Sequence, residues 1–188
     1  MLNLLSRRLT NYRVFVAADT IVSLAMGIFG PFWVVFILGF GDSVESLGFA
    51  VGLMVLAQSL TSYFAGKLSD RFGRKGFMVG ANVAVGAIIF SYTLIESVTQ
   101  LYILQAIYGV VTAISGTAES AFLGDITEKS TRGSAVGKLN AVTGVVAALA
   151  MMGAGVLIDG LGFSVIFYAV AAFFILASLV LLLVKEQR

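Results

Sequence analysis

Two carboxylates, Asp19 and Glu119, stand inside otherwise apolar runs of this chain, where water cannot easily reach them. At a bilayer centre an ionised side chain costs about 2.5 to 3.5 kcal/mol on insertion scales, so a buried carboxylate in such a run calls for a use. Counted at about 1.5 Å per residue from the ends of their runs, the two lie at a similar depth and are able to share one site. A carboxylate held away from water resists ionisation, and its grip on a proton changes when water gains access. That is the chemistry of ion coupling, with a proton or other cation as the coupling ion. Gln105, Tyr108, Thr112, Ser115 and Glu119 recur every three or four residues and form one polar stripe, while Asp19, Ser23, Met26, Gly30 and Trp33 form another. Such stripes serve either as cavity walls or as helix-to-helix contacts worth about 0.6 to 2 kcal/mol each. Gln58, Ser62, Asn140 and Thr143 are weaker candidates for solute contact, and Asn82 reads as packing. Alternatively, Asp19 and Glu119 snorkel to the surface or pair with Arg13 or Lys138.

Other chemistries are poorly served. Cysteine and histidine are both absent, which leaves no disulfide framework, thiolate or imidazole metal site, or Ser-His or Cys-His nucleophile pair. No enzyme activity, metal or organic cofactor is expected. The net charge of +2 does not mark a nucleic-acid partner, because the basic residues lie in membrane-flanking loops.

The elements that hold these residues follow from composition. With 59% hydrophobic and 12% charged residues and a mean hydropathy of +1.01, the chain cannot coat a water-soluble globule with polar surface. Six apolar runs at about 14–39, 47–66, 77–95, 101–123, 134–158 and 163–184 each approach the roughly 20 residues that cross a hydrocarbon core of about 30 Å. The expected fold is an all-α, multi-pass membrane protein: one bundle of six transmembrane helices over 1–188, with membrane lipid as its solvent. The first run is too long for the core of a secretory signal and has no small-residue cleavage site after it. If the amino terminus is cytoplasmic, all 12 lysines and arginines fall on that side, and Asp42, Glu45, Glu96 and Asp159 on the other. Both termini are therefore expected in the cytoplasm and the chain in a cell (inner) membrane.

The loop Gly66-Lys67-Leu68-Ser69-Asp70-Arg71-Phe72-Gly73-Arg74-Lys75 is more specific than its charge requires. Topology accounts for the cations but not for Gly66, Asp70 and Gly73. Gly66 permits close approach of a neighbouring helix, Asp70 suits the positive end of a helix, and Gly73 suits a tight reversal into the next span, which Arg74 starts.

The loop resembles the signature between the second and third spans of the major facilitator superfamily. Thr131-Arg132-Gly133-Ser134 is similar to that family's entry into its fifth span, so the likeness covers all six runs. The resemblance implies a transporter with a charge relay through Asp70, Arg71, Arg74 and Lys75 to Asp125, with Arg132 nearby, that latches the cytoplasmic side. It departs from the family at Gln105, where many members carry arginine, and in having no glycine-proline element in the fifth run. Family members commonly have two six-helix halves with solute between them, and this chain supplies one. It therefore implies a homodimer of halves or the amino-terminal half of a longer transporter, carrying a small solute by alternating access, and in the dimer Asp70 of one copy would face Arg132–Ser134 of the other. A membrane assembly protein that kept the half without transport is the rival. Neither stripe contains a cation, which favours neutral or cationic solutes.

Overall fold

The computed structural model describes residues 2–41 and 43–185, with the side chains at 2–7, 40, 41, 68, 70 and 72 outside that description. Asp42 and the acidic group of Asp70 thus lie outside the described residues. Every described element is helical: α1 (Leu2–Gly41), α2 (Val44–Phe72), α3 (Arg74–Ser91) with a short 3-10 turn at Tyr92–Leu94, α4 (Val98–Ile126) and α5 (Arg132–Leu181). Each of the five is long and apolar enough to cross a bilayer.

Local sequence explains where they start. Ser43 Oγ accepts a hydrogen bond from the Ser46 N–H at 3.1 Å and opens α2. Ser97 caps α4 by accepting from the Gln100 N–H at 3.3 Å, while Gln100 Oε1 accepts from the Glu96 N–H at 2.7 Å, a reciprocal pairing of first-turn donors. Between α2 and α3 the chain reverses on Gly73, whose φ of 93° is readily open only to a residue without Cβ. Pro31 lies within α1 without ending it.

Where the sequence suggests two runs, 134–158 and 163–184, the 50 residues of α5 cover both, and the helix is broken between them at Gly162, with φ 78° and ψ 164°. A straight helix of that length would extend about 75 Å. Contacts with α1 show the turn directly. Before Gly162, the Ala135 carbonyl accepts from Tyr12, Ala147 abuts Gly27, and Gly155 abuts Phe32. After it the order is reversed: Phe163 meets Phe36, Phe167 meets Phe29, and Lys185 pairs with Asn11. The two arms are therefore antiparallel.

The helices alternate in direction, and every described lysine and arginine lies at one end of the bundle. Two buried clusters fill it. One, near that basic end, joins Phe15, Met78, Phe122, Leu139 and Leu181. The other, toward the opposite end, joins Phe29, Ile89, Tyr92, Leu101, Phe167 and Phe174.

Packing is tightest where glycine removes the side chain. An added Cβ at Gly27 would fall 2.4 Å from the Ala147 carbonyl oxygen, and one at Gly109 would fall 2.2 Å from that of Met54. Thus α1 sits backbone-to-backbone on α5, and α2 on α4. The four-spaced pairs Gly48/Gly52, Gly76/Gly80 and Gly133/Gly137 have nothing within 4 Å of an added Cβ.

Candidate functional site

The α1–α4 seam joins these two tight pairs through side chains. Phe15 meets Phe122 with ring centroids 5.5 Å apart, and farther along the Tyr108 hydroxyl points to the Met26 sulfur at 3.9 Å. Asp19 lies one turn beyond Phe15, and Glu119 one turn before Phe122. The two carboxylates consequently face each other across the seam, close enough to interact electrostatically. Both are half-buried. Ser115 donates to Glu119 Oε1 at 2.7 Å from the preceding turn of α4. No lysine or arginine forms a described ion pair with either group; the described pair is Arg74–Asp125.

Two grooves flank the seam. The first, of about 600 Å3 between α2 and α4, is lined by Gln58, Ser62, Thr112, Gly116, Thr117 and Ser120. The second, of about 400 Å3 between α1 and α5, is lined by Ser23, Met26, Asn140, Thr143, Gly144 and Met151. Their hydroxyls are partly occupied within their own helices: Ser62 donates to the Gln58 carbonyl, Thr112 to that of Tyr108, and Thr143 to that of Leu139. The grooves offer small polar surface without fixed charge.

The α4 stripe is divided by the fold. Thr112 reaches the α2–α4 groove, and Ser115 with Glu119 sits at the seam. Gln105 instead turns into the bundle at 0% exposure, and among the described residues neither its amide nitrogen nor its oxygen has a hydrogen-bond partner. Trp33 is half-buried, and among the described residues its indole N–H makes no direct hydrogen bond. Asn82 is buried in α3. Sequence reading missed Gly116, Thr117 and Ser120 as groove lining. Their spacing marks a second small-residue face on α4, beside the stripe, and that was the available signal.

At the basic end, three cations of the expected relay bind helix C-termini, whose unpaired carbonyls carry partial negative charge. Arg74 forms an ion pair with Asp125 and donates to the Ala121 carbonyl at 2.6 Å. Arg132 donates to the Gly124 carbonyl at 2.6 Å and to Thr127 Oγ1 at 3.1 Å. Lys75 donates to the Leu182 and Val184 carbonyls, both at 2.8 Å, at the end of α5. Arg71 is exposed in the last turn of α2. Gly66 faces the Thr117 methyl at 3.7 Å from an added Cβ, ordinary contact distance. Beside the start of α5 lies a third cavity, of about 410 Å3, lined by Arg8, Tyr12, Glu128, Thr131, Ser134 and Lys138.

A bundle of long apolar helices with carboxylates at a seam and open polar grooves has the build of a solute transporter, and the chain matches the Major Facilitator Superfamily over residues 16–188. It belongs to that family. It is accordingly an integral membrane protein of a transporter family and not an enzyme.

Particular relatives differ in length. The chain is 29% identical over 158 residues to the uncharacterized MFS-type transporter YitZ of Bacillus subtilis, covering 84% of this chain and 96% of that protein. It is 30% identical over 152 residues to multidrug resistance protein 2 of Bacillus subtilis, covering 77% of this chain but 36% of that protein. With the multi-drug resistance efflux pump PmrA of Streptococcus pneumoniae it is 26% identical over 185 residues, covering 94% of this chain and 45% of the pump. It therefore spans nearly all of one relative and less than half of the others.

Proposed function

We propose that the chain is one six-span half of a secondary transporter that moves a small solute by alternating access, coupled to protons or another cation through Asp19 and Glu119. The observation that carries this reading is the carboxylate pair across the α1–α4 seam, between grooves that have no described ion pair to neutralise it. In this reading the two arms of α5 are separate spans, and the basic end of the bundle is cytoplasmic. Charge-free grooves suit a neutral or cationic solute. Two of the relatives carry names that refer to multidrug resistance, which is compatible with this class.

A second bundle is needed to close the grooves, and we favour a second copy, giving a twofold homodimer. The near-complete coverage of YitZ supports a transporter of half length. Exposed Leu60, Tyr63 and Phe64 on α2 and Val145, Leu149 and Met152 on α5 offer apolar surface for the partner. Asp70 of one copy would then approach the start of α5 in the other, where the cavity near Arg8 and Lys138 offers positive charge. The alternative, the amino-terminal half of a longer transporter, draws support from the 36% and 45% coverage of the other two relatives.

The test is solute uptake into vesicles under an imposed pH gradient, using a panel of neutral and cationic compounds. Gradient-driven uptake is expected for the native protein, and its loss in Asp19→Asn and Glu119→Gln. Full response to the gradient in both variants would remove the coupling role, and failure to transport across the panel would shift the reading to a membrane assembly protein. Cross-linking in native membranes that yields only monomers would exclude the dimer.

A further inference from the structure

Among the described residues, four buried side-chain polar atoms inside the bundle make no direct hydrogen bond: the Trp33 indole nitrogen, the Tyr92 hydroxyl, and both amide atoms of Gln105. Native proteins pair nearly all such groups, because an unmade bond forfeits the hydration that the group had in water. Tyr92 belongs to one buried cluster, Trp33 packs against it, and Gln105 is flanked on α4 by residues of the same cluster. Tyr92 packs on Phe29 and Phe36, with ring centroids at 5.9 and 6.4 Å, and Trp33 lies on α1 between these two rings, its indole N–H close enough to influence the Tyr92 hydroxyl but outside the geometry of a direct hydrogen bond. Gln105 lies one turn along α4 from Leu101, which shares a buried cluster with Tyr92, and one turn before Tyr108, which packs against that cluster. The region belongs to α1, α4 and the turn after α3, and neither Trp33, Tyr92 nor Gln105 lines either polar groove.

The surrounding packing shows where this region has freedom to open. Backbone contacts at Gly27–Ala147 and Gly109–Met54 lock α1 to α5 and α2 to α4. Between α1 and α4 the contacts identified are side chain to side chain, at Phe15–Phe122 and Tyr108–Met26. This seam can part without separating either locked pair.

We propose that Trp33, Tyr92 and Gln105 form an internal water-binding site that fills when α4 moves relative to α1, so that the bundle alternates between a dry, closed seam and a hydrated one. The dry state leaves donors and acceptors unpaired; the hydrated state pairs them but opens apolar contacts, and these opposed terms keep the two states close in energy. Gln105 suits the switch because its neutral amide both donates and accepts. The inference goes beyond the transport reading by assigning movement within one bundle. It applies equally to a dimer and to a longer chain.

The sequence provides a clean test, having no cysteine and one tryptophan. In lipid vesicles, Gln105→Cys, the sole thiol, is treated with N-ethylmaleimide and compared with Ser120→Cys on the open groove. If the seam opens to a minor state of about 0.1 to 10%, Gln105→Cys is modified to completion at a rate about tenfold to a thousandfold below that of Ser120→Cys. In the otherwise native chain, acrylamide is expected to quench Trp33 fluorescence, and Gln105→Leu to reduce that quenching at least twofold. An inert Gln105→Cys, together with quenching unchanged in Gln105→Leu, would overturn the proposal even if solute uptake persisted. Modification of Gln105→Cys as fast as Ser120→Cys would overturn it too, since the site would then be permanently open.

Discussion

Replacing Gly109 by alanine tests the packing on which the groove geometry depends. The new Cβ would lie 2.2 Å from the Met54 carbonyl oxygen, 3.0 Å from its carbon and 3.1 Å from Ala57 Cβ. An ordinary carbon–oxygen contact needs more than 3 Å, and two of these atoms are backbone, so no rotamer change relieves the clash. The axes of α2 and α4 must move apart by about 1 Å, which loosens the contacts on either side. Overpacking of this kind costs about 1 to 3 kcal/mol, against which alanine returns up to about 1 kcal/mol of helix propensity. A net loss of about 1 to 2 kcal/mol corresponds to a fall in Tm of about 2 to 8 °C for a chain of this size. The assay is thermal unfolding in detergent, with Gly116→Ala and Gly144→Ala as controls, because an added Cβ at either meets nothing within 4 Å. If Gly109→Ala melted with the controls or above the native protein, the backbone contact between α2 and α4 would not be the one that sets the α2–α4 groove.

Asn11 is fully buried and bonds the backbone of Lys185 twice, donating to its carbonyl at 2.8 Å and accepting from its N–H at 2.9 Å. Asn11→Ala is expected to lose about 1 to 3 kcal/mol and to speed proteolysis after Val184, measured by Tm and limited digestion. For Arg74 and Asp125, whose side chains are 26% and 51% exposed, a double-mutant cycle with Arg74→Gln and Asp125→Asn should give a coupling of about 0.2 to 1 kcal/mol in stability. A coupling well above that range would mean that the pair is screened from solvent by something the single bundle does not supply. Gly73→Ala should destabilise by about 1 kcal/mol or more, since its φ of 93° disfavours a Cβ; an unchanged Tm would show that the α2–α3 turn relaxes freely.

The basic end of the bundle shows how charge alone leaves roles open. Lys75 and Arg132 read as parts of one relay beside Asp70, yet Lys75 secures the end of α5 and Arg132 the end of α4. Neither contact is visible in sequence, because each depends on which helix terminus the fold brings beside the loop.

The apolar runs, the loop at Gly66–Lys75 and the one-sided placement of the cations were legible in the sequence, for lipid admits only long runs with internally paired backbones and few charges. The facing of the polar residues was decided by the tertiary structure. α4 has small or polar residues on more than one face, so a three-to-four-residue period does not specify which face meets a neighbour. Seating Gly109 on the Met54 carbonyl fixes the helix rotation: it directs Gln105 into the core and leaves Gly116 and Ser120 at the groove. The approach of Asp19 to Glu119 likewise depends on α1 and α4 meeting across a seam, a contact set by packing between distant segments rather than by either segment alone.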